Sequence, residues 1–205
     1  MPVPRIVFGL LAAVLLAACS VDQSPDAPDN RVAAAAFRDT GPKTLTIMTM
    51  VNNRTGSGGH TSMLIKGSQS VLFDPAGSFR APSVVERGDV IFGASPGLVR
   101  AYKSSHARAS HHVVTQEIPV TDAQAEQALQ LAVNYGAVPG AFCANATTDI
   151  LRQVQGFSSV NRTYYPVKFM EQVATFPGVR TSRLYENDAG DVIDAVRAAE
   201  LATLE

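Results

Sequence analysis

Residues 44–77, TLTIMTMVNNRTGSGGHTSMLIKGSQSVLFDPAG, decide the fold. From Thr44 to Val51, threonine alternates with Leu, Ile and Met, the period-two pattern of a strand with two distinct faces. Asn52–Gly59 is a loop of Asn, Gly and Ser. Thr61–Ile65 and Val71–Phe73 are short strands on either side of Lys66-Gly67-Ser68-Gln69, a hairpin turn. Asp74-Pro75-Ala76-Gly77 then ends the second strand with turn residues. A three-residue loop at Lys66–Ser68 sets Ile65 opposite Gln69 and His60 opposite Asp74. That register sorts Met63, Ile65, Val71 and Phe73 onto one face, and His60, Ser62, Leu64, Ser70, Leu72 and Asp74 onto the other.

Working outward, Asp89–Phe92 and His112–Val120 have the composition of further strands, and helical patterns follow them. Thr121 and Gln124 form a capping box before Ala125, Ala128, Leu129, Ala132 and Tyr135, and Gly136 ends that helix. A second helix begins at Phe142–Cys143, buries Ile150, Leu151 and Val154, and stops at Gly156. Pro166 opens a third through Phe169, Met170 and Val173, and Asp191 caps a last one through Val192, Ile193 and Val196. Strands first and helices later define an α+β domain, an antiparallel sheet packed against helices.

The chain of 205 residues is 46% hydrophobic and 17% charged, a composition that supports one globular core. Its 17 basic and 18 acidic residues leave a net charge of −1, so no field draws in a nucleic-acid backbone. Two cysteines exclude a disulfide scaffold.

Residues 1–18 read as a secretory signal, with Arg5 ahead of the apolar run IVFGLLAAVLLAA, too short for a spanning helix. The run leads into Leu16-Ala17-Ala18-Cys19, which resembles a bacterial lipobox and implies lipidation of Cys19. Ser20, in place of Asp, favours passage to the outer membrane. The expectation is a lipid-anchored protein of the bacterial envelope that faces the periplasm, with the membrane as a partner through its anchor. Residues 19–42, rich in Pro, Asp and Ser, read as a flexible tether, and 43–205 as the folded domain. With Cys19 lipidated, Cys143 is left as a lone thiol, either a small core residue or a reactive group.

Three patterns carry candidate chemistry. Gly93-Ala94-Ser95-Pro96-Gly97 matches the nucleophile elbow G-x-S-x-G. Pro96 has no N–H to offer an oxyanion, however, so the stretch is read as a turn. His106, His111 and His112 place three imidazoles within seven residues, but neighbours on a strand point to opposite faces and no carboxylate lies nearby. Those histidines are read as a polar strand entry. The third pattern joins His60 and Asp74 to Cys143, which sits at a helix start where free N–H groups and the helix dipole favour a thiolate. A thiolate, an imidazole that shuttles its proton and an acid that orients the imidazole perform acyl transfer. Catalytic candidates are therefore Cys143, His60 and Asp74.

The segments GGHTSMLI around His60, VLFDPAGSF around Asp74 and GAFCANATTDIL around Cys143 resemble the circularly permuted NlpC-like branch of the papain-like cysteine peptidases and amidases, related in fold to lecithin:retinol acyltransferase. The order of histidine, acid and then cysteine is the reverse of papain's. The same stretches resemble uncharacterised alphaproteobacterial lipoproteins. The resemblance implies a papain-like core with a Cys/His/polar triad, hydrolase or acyltransferase activity on an amide or ester bond, and neither metal nor cofactor. It departs from many permuted relatives in having Phe142 before the cysteine and Ala144-Asn145 after it. The third polar residue varies in such proteins, which leaves His112 as a substitute for Asp74 and Tyr102 as a candidate oxyanion side chain. Cell-wall peptides are the substrate class that the expected location suggests. A non-catalytic binding module of the same fold and a metal carrier built on His106, His111 and His112 are the rival readings.

Overall fold

The computed structural model describes residues 26–202. The expected signal and Cys19 lie outside these residues. In chain order the elements are α1 (Asp29–Ala35), β1 (Thr44–Asn52), β2 (Gly58–Lys66), β3 (Ser70–Phe73), β4 (Val85–Arg87), β5 (Val90–Phe92), α2 (Pro96–His106), β6 (His111–Pro119), α3 (Asp122–Val133), α4 (Cys143–Gln153), α5 (Pro166–Val173), β7 (Arg180–Leu184) and α6 (Val192–Ala202). The seven strands form one sheet in the order β4-β5-β3-β2-β1-β6-β7, with every neighbouring pair antiparallel. The fold is thus mixed α/β, a seven-stranded antiparallel sheet with six helices among the described residues.

Both faces of the sheet are covered, which is why the threonines of β1 are buried along with its apolar residues. On one face Leu45, Ile47, Met63, Ile65, Val71 and Phe73 pack against Leu129 of α3, Ile150 and Leu151 of α4 and Phe169 of α5. On the other, Met48, Met50, Leu64, Leu72 and Ile91 meet Phe79, Tyr102 of α2 and Val196 of α6. The capping box at Thr121–Gln124 is present, and the Asp191 carboxylate accepts the N–H groups of Ile193 and Asp194 at the start of α6. No helix among the described residues is long and apolar enough to cross a membrane.

Four sequence expectations need correction. First, the β2–β3 loop is Gly67–Gln69, and Ile65 pairs with Val71 rather than Gln69. The pairing is two residues out of the expected register. An even slip keeps every side chain on its expected face. The loop sits there because Gly67 packs against Leu129, where an added Cβ would come within 3.1 Å, and the Ser68 N–H donates to Glu126 at 2.9 Å.

Second, residues 26–42 are not all tether. The Ala27 N–H bonds the Glu86 carbonyl, the Ser70 N–H bonds the Phe37 carbonyl, Lys66 pairs with Asp39 at 2.9 Å, and Val32 and Ala35 of α1 lie against the core. Their scattered apolar residues are too few to show a periodicity, yet Val32 and Ala35 find the core and Ala27 is buried.

Third, Ser95-Pro96 is not a turn but a helix start. Ser95 Oγ accepts the Leu98 N–H, Pro96 takes the first helical position, and α2 runs on to His106. Gly93, at φ +76°, lets the Ala35 carbonyl approach to within 2.6 Å of where a Cβ would stand. The G-x-S-x-G match is thereby accounted for by packing and capping alone. Fourth, β4 and β7 were not expected. Both are short and rich in charge, and each pairs with a single neighbour at a sheet edge, where charge suits solvent and discourages edge-to-edge association.

The packed leader predicts a measurable difference. A chain beginning at Lys43 is expected to be less stable to urea than one beginning at Asp26 by about 2 kcal/mol, from roughly 1 kcal/mol per lost hydrogen bond plus the apolar burial of α1. Equal urea midpoints would mean that the segment only tethers.

Candidate active site

His60 lies near the start of β2, opposite Met50 of β1. Continuing the β2–β3 register by one residue puts Asp74 beside Ser62, so Asp74 is the diagonal neighbour of His60 and not its direct partner. The diagonal is short enough. His60 Nε2 lies 2.7 Å from Asp74 Oδ1. The carboxylate is 1% exposed and also accepts the Tyr102 hydroxyl at 2.5 Å on the same oxygen. Its turn is tight: Ala76 has φ +55°, the Gly77 N–H donates to the Asp74 carbonyl, and a Cβ on Gly77 would stand 1.9 Å from Asp74 Oδ2. Only glycine leaves room for the acid.

Tyr102 is fully buried on α2, and its hydroxyl is committed to Asp74 rather than to an oxyanion. The same helix supplies His106, whose ring lies nearly parallel to that of His60 with centroids 5.9 Å apart. Burial pulls the His106 pKa down to about 4, although the nearby Asp74 charge opposes this. His106 is therefore a neutral imidazole at ordinary pH, with its Nδ1–H donated to the Tyr102 carbonyl at 2.8 Å.

Cys143 is the first residue of α4. His60 and the backbone N–H groups of Thr61 and Ala144 all bear on its thiol. With Nε2 bound to Asp74, Nδ1 is the ring nitrogen that the carboxylate leaves free. The opening that admits α4 comes from unequal strand lengths. β3 stops at Phe73 while β2 runs back to Gly58, so residues 58–62 have no strand beside them on that side. The polar start of α4 is buried yet satisfied: Thr147 and Thr148 donate to the carbonyls of Cys143 and Ala144, and Asn145 Oδ1 accepts a bond from Arg162.

The charges follow from this geometry. Burial raises the Cys143 thiol, but the His60 hydrogen bond and charge, with the two backbone N–H groups, leave it below its ordinary value. Burial likewise lowers His60, yet the Asp74 charge and hydrogen bond, helped by Cys143, carry it up to about 10. Asp74 is raised by its burial and brought below the usual carboxylate range by His60, His106 and Tyr102. The three groups shift one another toward a carboxylate, an imidazolium and a thiol that ionises more readily than usual.

His112, the substitute acid-side residue, does not join them. Its Nδ1 bonds the Asn53 side chain at 2.8 Å and its ring stacks on Tyr185. His106 and His111 line one cavity with His60 while His112 is engaged by Asn53 and Tyr185, and the described residues contain no group of three or more His, Cys, Asp or Glu placed to hold a metal ion. His111 and His60 both line a cavity of about 340 Å³ that opens beside Gly59, Gly77 and Ser78. The contribution of His106 was legible in principle: reading Ser95-Pro96 as a helix start carries α2 to that residue.

No protein-family model, curated protein or solved structure matches this chain.

The Tyr102–Asp74 contact can be tested directly. Tyr102→Phe removes one bond to a buried charge and is expected to cost about 1.5–3 kcal/mol in urea unfolding, with Asp74 becoming easier to protonate. The loss should shrink as acid is added, because the parent's carboxylate, with its more depressed folded pKa, loses more of its stabilising contribution as pH falls through that value. A variant as stable as the parent at both pH 7 and pH 4 would refute the assignment.

Proposed function

We propose that the chain is a lipid-anchored thiol hydrolase or acyltransferase of the bacterial envelope, with a circularly permuted papain-like core, acting at an amide or ester bond. The observation that carries this reading is His60, held by Asp74 on one ring nitrogen, with the Cys143 thiol at a helix start and the imidazole each shifting the other's charge. The chain order of histidine on a strand, acid after the next strand and cysteine on a later helix agrees with the permuted arrangement. The Leu-Ala-Ala-Cys19 signal supports the anchor, and the envelope location makes cell-wall peptides the substrate class to try first.

In the first half-reaction the Cys143 thiolate attacks the carbonyl carbon. The N–H groups at the start of α4, that of Cys143 among them, are placed for the oxyanion. His60 gives its Nδ1 proton to the leaving amine or alcohol as the carbon–heteroatom bond breaks and a thioester remains. In the second, His60 takes a proton from water or an acceptor nucleophile, which attacks the thioester, releases the acyl product and restores the thiolate–imidazolium pair. Asp74 stays ionised throughout and fixes the ring orientation.

One observation favours the non-catalytic reading: Cys143 is only 6% exposed. Alkylation decides between the two. Iodoacetamide should label Cys143 with a pH profile shifted below that of an ordinary thiol, and the imidazolium should persist until about pH 10. His60→Ala should raise the thiol pKa, because burial then acts without the imidazole to oppose it, and slow labelling at pH 6.5 by about tenfold for each unit of the rise. Slow labelling with an ordinary thiol profile, unaffected by His60→Ala, would leave the non-catalytic module.

A further inference from the structure

The Gly88-Asp89 pair joins β4 to β5 with φ of +54° and +62°, the two left-handed positions of a type I′ hairpin turn. Turn chemistry explains the backbone, since Asp tolerates this region better than most residues. It does not explain the side chain. A carboxylate at a hairpin turn normally faces water, whereas Asp89 is 2% exposed.

Its bonds run to the two segments that carry the thiol site. Asp89 Oδ2 accepts the Ala76 N–H at 3.0 Å, in the turn that follows Asp74, and the Val138 N–H at 2.9 Å, in the segment that leads through Pro139-Gly140 to Cys143. The Asp89 main-chain carbonyl accepts the Asp74 N–H at 2.8 Å. Gly88 adds a close approach, since a Cβ there would stand 3.3 Å from the Gly136 Cα. Asp74 and Cys143 lie on segments far apart in the chain, and one carboxylate oxygen bonds the backbone of both.

We propose that Asp89 is a positioning residue of the thiol site, tying the Asp74 turn to the segment before Cys143 and so holding carboxylate, imidazole and sulfur in line. The inference rests on the reading of that site as a thiolate–imidazolium centre. Asp89 touches none of the reacting atoms. The charged groups that bear on it are Asp74, Arg80 and Glu86. Burial raises its pKa, and the two N–H bonds oppose that rise.

Two variants of the full chain separate geometry from charge. Asp89→Gly removes the acceptor while suiting φ +62°, and Asp89→Asn keeps one oxygen able to accept both N–H bonds. The readout is the pH profile of Cys143 alkylation by iodoacetamide, with circular dichroism and thermal melting as checks on folding. Asp89→Gly is expected to fold, to raise the apparent thiol pKa by about one unit and to slow labelling below that pKa roughly tenfold. Asp89→Asn is expected to rescue the parent profile to within about twofold, a pattern that lost stability alone would not produce. The inference is overturned if Asp89→Gly keeps the parent profile, if Asp89→Asn loses as much as Asp89→Gly, or if either variant fails to fold. An unshifted thiol in the unsubstituted protein would instead overturn the thiol-site reading, and would do so before any variant is made.

Discussion

A single buried carboxylate organises this molecule. Asp74 is removed from water, and a charge in that position must be compensated by direct partners. It has them in the Nε2–H of a protonated His60 and the Tyr102 hydroxyl, both on Oδ1, with Gly77 leaving space against Oδ2. Each partner comes from a different element. His60 comes from β2 and Tyr102 from α2, and the turn itself belongs to the end of β3. The need to satisfy one acid therefore fixes a helix, a strand and a turn relative to one another. The thiol of α4 acts on the same imidazole.

Sheet construction supplies the geometry that the acid exploits. Were β3 as long as β2, its ladder would cover the edge of residues 58–62 and the Thr61 N–H would have a strand for a partner. A short β3 followed by Asp-Pro frees that edge for the start of a helix. Because α3, α4 and α5 cover one face and α2 and α6 the other, the site is enclosed from both sides of the sheet. Asp74, itself bonded by Tyr102, holds the imidazole beside that free edge.

How much of this was legible in the sequence depended on whether the signal was local. The Thr/apolar alternation of 44–51, the capping box at Thr121 and Pro166 at a helix start are short-range patterns, and each marks its element. The face on which His60 and Asp74 lie was legible because parity survives an even slip, but the register was not. It depended on Gly67 packing against Leu129, a tertiary contact that no hairpin rule contains. Ser95-Pro96 carried a clear start signal and was obscured by a competing motif. The partners of Asp74 on α2, Tyr102 and His106, could not be assigned until that helix was placed. Edge strands β4 and β7 lack an apolar pattern because neither buries a full face.

The remaining question is why His60 carries the proton when a second imidazole lies parallel to it at 5.9 Å. Two imidazolium ions at that separation would repel by about 3 kcal/mol at an effective dielectric constant near 20, so the pair holds one charge. The sites are unequal. Asp74, on Nε2, and Cys143 both favour the charged His60 ring, and their combined pull outweighs its desolvation. His106 spends its Nδ1–H on a neutral carbonyl, which returns far less, and desolvation prevails there. A neutral His106 in turn presents a flat, uncharged surface that packs beside the charged ring without competing for Asp74. One histidine is charged and the other neutral because burial acts on both, while the acid and the thiol bond only one.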